Sequence, residues 1–415
     1  MQFLRRAFPF LLVTLVGTAL ITCLVPAVRC FVVLQLGLGT ENAKLACKLN
    51  QSLDEHAARG FSGAVLVVKD GQVLVDRGYG MANYEHDVPN TPKTKFRIGS
   101  VTKPFTATAI MQLQERGLLS VDDPISKYLP DFPNGDKIRI HHLLTHTSGI
   151  QDFRLLAGYD EAVRDRVISS DELMGVIKNG ELGFQPGERY KYSNSGYIML
   201  ARIIELSSGK SYEKFLQENV FTPAGMHSTC FDRHDHLIKN RAAGYIFTSI
   251  EQKDFNNAHH FDISWLTGSG NLLSTTGDLY RFDRALNNGV LLSDDSWKAM
   301  ISPYVQADPD PGYYGYGWLT NSDGQGHEGG SPGTRAIFLC VPSEDLCVVI
   351  FSNKVAPANE PLAVALDLIK ILEPYGNLRQ LLFFEIQEER GRRRKEAVAL
   401  SLPTDEHVRL ITKAA

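Results

Sequence analysis

The chain has 415 residues, of which 43% are hydrophobic and 22% are charged, and this balance excludes a chain that is disordered throughout. Its formal net charge of -4 at pH 7 gives no general attraction to nucleic acid or to anionic lipid. We therefore expect no nucleic-acid partner, and a substrate that is a small molecule or a peptide. A strongly basic run occurs only locally, at residues 390–395.

The N-terminal 39 residues are typical of an exported protein. Arg5 and Arg6 precede an apolar run at residues 7–28, which is about long enough to span a membrane. A cleaved signal peptide and an uncleaved signal anchor both fit residues 1–39. Lipidation at Cys23 is less favoured, because a threonine stands before the cysteine where a smaller residue is usual. The arginines are expected to stay inside, so the rest of the chain would be periplasmic or extracellular.

Two β-branched runs follow within "FSGAVLVVKDGQVLVDRGYGMANYE", which begins at Phe61. Asp70 and Gly71 lie between the two runs, and Asp-Gly is a strong signal for a two-residue β-turn. The pattern predicts a β-hairpin that begins an antiparallel sheet.

The segment "FRIGSVTKPFTATAIMQLQERG" changes from extended to helical periodicity near Ser100. Lys103 follows three residues later, and residues three apart share one face of a helix. Its amine can therefore approach the Ser100 hydroxyl and remove the hydroxyl proton. By itself, the pattern equally fits a helix-capping serine followed by an ordinary lysine in the first turn.

The rest of the chain predicts an α/β fold. Residues 99–312 are mostly helical in pattern, and β-type runs return in "YGYGWLT", "TRAIFLCVP" and "LCVVIFSNK" before an apolar helix. The simplest architecture is one antiparallel sheet, built from residues 55–98 and 313–375 and flanked by helices, with the helical region inserted. Residues 40–375 then form one domain, and residues 376–415 form a charged tail or an extra helix without an assigned function.

The six cysteines lack the C-x-x-C spacing of zinc or redox sites, so metal binding by cysteine is not expected. Cys340 and Cys347 flank a predicted turn at Ser343–Glu344, which would place them opposite each other on two strands. A cross-strand disulfide is compatible with this arrangement, and two buried free thiols are the favoured interpretation.

Three polar segments stand out in apolar surroundings. "YKYSNSGYIML" places Tyr192 and Asn194 just before a helix, "HHLLTHTSGI" places His146 near a helix end, and "GQGHEGGSPGTRAIFLCVP" places His327 before a strand. Each one alone is better explained by packing, by a structural hydrogen bond or by a solvated turn.

Together and in this order, the segments resemble the serine β-lactamase and penicillin-binding-protein superfamily. The resemblance runs over residues 62–372 and is strongest to the class C β-lactamase, D-alanyl-D-alanine carboxypeptidase and esterase branch. The S-x-x-K motif is matched by Ser100–Lys103, the Y-x-N motif by Tyr192–Asn194, and the third motif by His327–Gly329. The expected fold is therefore that of β-lactamases and DD-peptidases.

The resemblance implies a role for each motif residue. Ser100 would be the nucleophile, activated by Lys103 or Tyr192, and the residues do not decide which of the two is the base. Asn194 would bind the acylamide of the substrate. The backbone N–H groups of Ser100 and Gly330 would form the oxyanion hole.

The third motif departs from many relatives, which carry lysine where this chain has His327. With Gly329, His327 would line the substrate site, and its hold on a substrate carboxylate would depend on pH near its unperturbed pKa of about 6.5. Alternatively, His327 only hydrogen-bonds within the site or orients Tyr192. Strong β-lactamase activity is therefore not expected.

We accordingly expect an exported serine hydrolase that acts on amides or esters without a metal or an organic cofactor. D-amino-acid peptides of cell-wall type are the first candidate substrates, with β-lactams as mimics. An esterase for small esters is the alternative enzyme, and a non-catalytic peptidoglycan-binding or scaffold protein is the alternative outside enzymes. The sequence predicts no oligomeric state.

Overall fold

A computed structural model describes residue 30 and residues 40–156, 165–249, 254–307, 312–355 and 360–372. The apolar run at residues 7–28 and the charged segment at residues 376–415 lie outside these described residues, and so does Cys23. Within the described part of the chain, no helix combines the length and the apolar character that crossing a bilayer requires.

The strands are short except around the centre of the fold. In chain order they are β1 (Gly63–Lys69), β2 (Gln72–Tyr79), β3 (Met81–Asn83), β4 (Val88–Pro89), β5 (Phe96–Arg97), β6 (Cys230–Phe231), β7 (Tyr245–Ser249), β8 (Asp254–Asn257), β9 (Leu272–Ser274), β10 (Val305–Gln306), β11 (Tyr313–Tyr314), β12 (Leu319–Thr320), β13 (Gln325–Ser331), β14 (Thr334–Val341), β15 (Leu346–Ser352) and β16 (Lys354–Val355).

The helices are α1 (Glu41–Ala58), α2 (Lys103–Glu115), α3 (Ile140–Leu144), α4 (Ser170–Lys178), α5 (Asn194–Ser208), α6 (Tyr212–Leu216), α7 (Thr276–Asn287), α8 (Asp294–Met300) and α9 (Glu360–Leu372). Helices α1 and α9 come from the two ends of the described chain. Most of the others come from the long segment between β5 and β10.

The main sheet has eight antiparallel strands in the order β10-β11-β12-β13-β14-β15-β1-β2. Strand β1 pairs with both β15 and β2, so the N-terminal hairpin closes onto strands that follow more than 250 residues later, as Val67 opposite Val348 shows. The turn of the hairpin is Asp70–Gly71, with φ of 51° and 67°. This backbone conformation suits Gly and tolerates Asp, so the hairpin prediction is confirmed.

Both faces of the sheet are covered. Val65 and Val67 point to one face, where they pack with the apolar sides of α1 and α9. Leu66 and Val68 point to the other face and join the core formed by α2, α5 and α7. Alternate residues of a strand face opposite sides, so a strand buried on both sides has a nearly continuous apolar sequence.

The architecture confirms an α/β fold in which both ends of the chain build one antiparallel sheet and helices are inserted between them. The sheet boundaries differ from those expected: it uses residues 63–79 and 305–352. Strand β5 instead pairs with β9 in a separate small sheet, and β7 pairs with β8 and β16 in another. These strands of two to five residues have too few alternating positions to produce a readable periodicity.

The cysteines form one disulfide and one thiol pair in the described residues. Cys340 and Cys347 lie directly opposite each other on β14 and β15, with their Sγ atoms 3.4 Å apart, and both are buried free thiols. The favoured interpretation of this pair is confirmed. Cys30 forms a disulfide with Cys47 of α1. That bridge was not predicted, because cysteine pairing depends on which residues meet in space.

Candidate active site

Ser100 lies in the sharp connection between β5 and α2. A 3₁₀ turn spans Gly99–Thr102, and α2 begins at Lys103. Gly99 has a φ of 51°, and a Cβ atom at this position would lie 2.6 Å from the backbone nitrogen of Gly330. Glycine is therefore required both by the backbone conformation and by the space available.

Strand β13 passes directly over this turn. A Cβ atom at Gly329 would lie 1.9 Å from the carbonyl oxygen of Ile98 and 2.9 Å from the nitrogen of Ser100. The absence of side chains at Gly99 and Gly329 lets the two backbones touch. The contact brings the backbone nitrogens of Ser100 and Gly330 into the same region, as an oxyanion hole requires.

Lys103 extends from the first turn of α2 into a site where its side chain is completely buried. Its Nζ atom lies 3.0 Å from Ser100 Oγ, 2.8 Å from Asn194 Oδ1 and 3.0 Å from the carbonyl oxygen of Ser269. The burial lowers the pKa of Lys103 well below its usual value, because desolvation penalises the ammonium form.

The three contacts of Lys103 match the valences of a neutral amine. Asn194 Oδ1 and the Ser269 carbonyl can only accept hydrogen bonds, so they use the two N–H groups. The nitrogen lone pair is then left for the hydroxyl proton of Ser100. A lysine held in this way is arranged to act as a base toward Ser100.

Tyr192 lies on the other side of the serine hydroxyl and is hydrogen-bonded to it. Its ring also contacts Lys103, whose Nζ atom is 4.7 Å from the ring centroid. Burial raises the pKa of Tyr192, because desolvation penalises the phenolate. Since desolvation acts in opposite directions on the two groups, the free protein favours neutral Lys103 as the base and neutral Tyr192 as a proton carrier.

Asp152 is a site residue that the sequence reasoning missed. Its carboxylate accepts hydrogen bonds from the backbone nitrogen of Asn194 at 2.9 Å and from Asn194 Nδ2 at 2.8 Å. Burial alone would raise the pKa of Asp152, but hydrogen bonds from Arg154 and from the Asn194 backbone outweigh burial and lower it. The ionised Asp152 fixes the Asn194 amide so that Oδ1 faces Lys103. The available signal was "QDF", directly after "HTSGI".

Asn194 is therefore already engaged at both ends of its amide. It is the first residue of α5 and is buried. The acylamide-binding role implied by the resemblance remains a prediction, and the described contacts show that Asn194 holds the amine of Lys103.

His146 supports Tyr192 from behind. It has a φ of 58°, and its Nδ1 atom accepts a hydrogen bond from the Ser193 backbone at 3.2 Å. Its ring centroid is 4.3 Å from that of Tyr192. Burial, reinforced by the nearby Lys103, lowers the pKa of His146 well below its usual value. The neutral ring therefore acts as a packing surface that positions Tyr192.

His327 lies on β13, next to the same cluster of aromatic rings. Its Nδ1 atom is 2.6 Å from the carbonyl oxygen of Glu328, so Nδ1 carries the proton and donates it. Its Nε2 atom then accepts from the Tyr314 hydroxyl at 3.0 Å. Both ring nitrogens are used within the protein.

Burial, with a smaller contribution from Lys103, lowers the pKa of His327 to about 3. The expectation that this ring titrates near its unperturbed value is therefore wrong for the free protein. His327 is neutral at physiological pH, which supports the alternative that it hydrogen-bonds within the site.

The structure thus brings the predicted residues together. Ser100, Lys103, Tyr192 and Asn194 are in mutual contact, and β13 supplies Gly329, Gly330 and the nearby His327. The arrangement can activate a serine hydroxyl, bind a developing oxyanion and return a proton to a leaving group.

Comparisons with known proteins agree with this geometry. Residues 49–370 match the protein family described as Beta-lactamase. Penicillin-binding protein 4* of Bacillus subtilis (strain 168) is 33% identical over 314 residues, which cover 71% of this chain and 68% of the relative.

Two solved structures show the same fold. The penicillin-binding protein from Bacillus halodurans has a TM-score of 0.67 and 29% identity, covering 77% of this chain and 98% of its own. The D-amino acid amidase from Ochrobactrum anthropi SV3, complexed with D-phenylalanine, has a TM-score of 0.68 and 26% identity, covering 79% and 99%. These matches confirm the β-lactamase and DD-peptidase type of fold.

Substituting Lys103→Arg should lower kcat/KM for a chromogenic ester by about two to four orders of magnitude, because a guanidinium does not deprotonate. Tyr192→Phe should lower it by a similar factor, and the double variant should lose less than the product of the two losses, since both groups serve one proton path. Steady-state kinetics measures these losses. The control is Lys127→Arg, the same change at an exposed lysine. An active Lys103→Arg variant would rule out this base.

For His327, the low pKa predicts that the ratio of KM values for an anionic D-peptide and a neutral ester is constant between about pH 5 and pH 8. His327 is already deprotonated throughout that range, so it contributes no pH-dependent charge. Measuring both KM values against pH in the wild type, His327→Lys and Tyr314→Phe tests this. A ratio that rises with pH near 6.5 in the wild type, and not in His327→Lys, would restore carboxylate binding by an imidazolium.

Proposed function

This chain belongs to the Beta-lactamase family, and from that premise we propose that it is an exported enzyme that forms an acyl-enzyme on Ser100. Family membership makes it a serine hydrolase. The observation that carries the proposal is the buried amine of Lys103, 3.0 Å from the serine hydroxyl and held by two carbonyl acceptors.

In the first half of the proposed reaction, Ser100 Oγ attacks the carbonyl carbon of the substrate while its proton passes to Lys103. The carbonyl oxygen becomes an oxyanion and accepts hydrogen bonds from the backbone nitrogens of Ser100 and Gly330. When the intermediate collapses, the bond to the amine or alcohol breaks. The leaving group takes the proton from Lys103 through the Tyr192 hydroxyl, leaving an ester on Ser100 and a neutral lysine.

The second half repeats these steps with water. The Lys103–Tyr192 pair accepts a proton from water as its oxygen attacks the ester carbon, and the intermediate then releases the carboxylic acid. Ser100 recovers its proton from the same pair. This route uses only groups that are already in contact, as in the class C branch that the motifs resemble.

Peptides with D-amino acids are the proposed natural substrates, with β-lactams as mimics. Support comes from relatives and structural neighbours whose names refer to penicillin binding and to a D-amino acid amide. Hydrolysis of small esters is the second candidate. It is favoured by the neutral His327, which supplies no full positive charge for a substrate carboxylate.

Export is proposed from Arg5, Arg6 and the apolar run at residues 7–28. Fractionation of cells that express the protein with a C-terminal tag should place it in the membrane or beyond it, because these residues form an export signal or an anchor. A variant lacking residues 2–28 is the control and should remain in the cytosol. Recovery of the intact chain from the cytosol would contradict the proposal.

Covalent labelling tests the acyl-enzyme directly. Intact-protein mass spectrometry should show one adduct of a fluorescent penicillin and one of a fluorophosphonate on the wild type, and none on Ser100→Ala. The nearby Ser193→Ala is a matched control that keeps a hydroxyl at residue 100 and should be labelled. Thermal unfolding should show that Ser100→Ala remains folded, because one partly exposed hydroxyl contributes little to stability.

A labelled Ser100→Ala variant would place the nucleophile elsewhere. Labelling by the fluorophosphonate without labelling by penicillin, together with ester turnover, would select the esterase alternative. A wild type that takes up neither reagent and turns over neither substrate would support the non-catalytic alternative.

A further inference from the structure

Outside the active site, His234, His260 and Asp262 form a compact cluster. His234 lies in the loop after β6, and the other two precede a 3₁₀ turn at Ile263–Leu266. One side-chain donor atom from each of the three residues lies within 4.8 Å of the other two. The imidazole rings have centroids 4.7 Å apart, and His234 Nε2 is 3.4 Å from Asp262 Oδ2.

The Asp262 carboxylate is oriented by its neighbours. Its Oδ1 atom accepts from the Ser264 backbone nitrogen at 2.9 Å and from Ser264 Oγ at 2.5 Å. Its Oδ2 atom is therefore the one that faces His234. A carboxylate with one oxygen fixed by hydrogen bonds and the other directed at imidazoles is a common arrangement around metal ions in proteins.

The exposure of the cluster also suits a metal ion. Asp262 is buried, while His234 and His260 are exposed, so ions can enter from solvent and the imidazoles can turn. In zinc sites, the bonds to nitrogen and oxygen are about 2.0 to 2.2 Å long. Ligand atoms around one ion therefore lie within about 4.4 Å of each other, twice that bond length. A small rotation of either exposed ring closes the remaining gap.

We propose that His234, His260 and Asp262 bind a zinc ion, with water as a fourth ligand. Two imidazoles and one carboxylate suit zinc, whereas magnesium and calcium prefer oxygen ligands. The competing explanation is an ordinary ion pair between His234 and Asp262, with His260 packed beside it.

The proposed site lies outside the acyl-transfer machinery but is linked to it along the chain. The segment that starts at Asp262 continues to Gly268 and Ser269, whose carbonyl oxygens accept from Thr106 Oγ1 at 2.6 Å and from Lys103 Nζ at 3.0 Å. A zinc ion would fasten the His234 loop to the start of this segment. Its expected effect is greater stability of the folded chain, with no step in the reaction.

Binding is tested on the full chain without a histidine tag, after treatment with EDTA and removal of the chelator. Isothermal titration with zinc chloride should show one site, and zinc should raise the Tm while magnesium and calcium should not. His234→Ala and His260→Ala should each abolish the site. Ser264→Ala should weaken zinc binding by about 10- to 100-fold, the usual effect of removing a group that orients a ligand.

The matched control is His236→Ala combined with His259→Ala, which removes two neighbouring histidines outside the cluster and should leave zinc binding unchanged. Asp262→Asn keeps an oxygen for Ser264 and removes the charge, so it separates loss of the ligand from loss of the turn. It should remain folded and bind zinc weakly.

Three results would overturn the proposal. The first is the absence of a one-to-one zinc site in the wild type. The second is an equal loss of binding in the control double variant, which would indicate adventitious binding by surface histidines. The third is unchanged zinc binding in His234→Ala, which would leave only the ion pair. None of these results bears on Ser100, so the proposed function is tested separately.

Discussion

The central constraint in this protein is the desolvation of one amine. Taking an ammonium ion out of water costs several kcal/mol, and the cost falls if the group gives up its proton. Lys103 has no exposed surface, and its partners are two carbonyl-type oxygens and one hydroxyl. The same burial that lowers the pKa of Lys103 raises that of Tyr192. One physical effect therefore assigns different tasks to two groups that share a proton.

Separate parts of the chain must meet to create this environment. Helix α2 supplies the amine, the start of α5 supplies Asn194, and the loop before β9 supplies the Ser269 carbonyl. Asp152 then holds Asn194 from the far side. The covered sheet serves as the rigid support, since apolar cores on both of its faces fix β13 and the start of α2 against each other.

Contact between β13 and the Ser100 turn is the second requirement, and it depends on missing side chains. At Gly99 and Gly329, a Cβ atom would overlap backbone atoms of the opposite segment. These glycines are structural in origin and functional in effect, because the close approach brings the two backbone nitrogens of the oxyanion hole together. The histidines follow the same principle of burial: His146 and His327 are both neutral, and both position neighbouring rings.

The sequence by itself determined the elements whose signal is local. The Asp70–Gly71 hairpin, the buried strand runs and the spacing of Ser100 and Lys103 could be read from short stretches, because turns, alternation and helix periodicity are properties of neighbouring residues. The ordered motifs then identified Tyr192 and Asn194. Tertiary structure alone decided the role of Asp152, the Cys30–Cys47 bridge and the protonation of Lys103 and His327. These depend on burial and on partners far away along the chain, and neither is encoded in any local pattern.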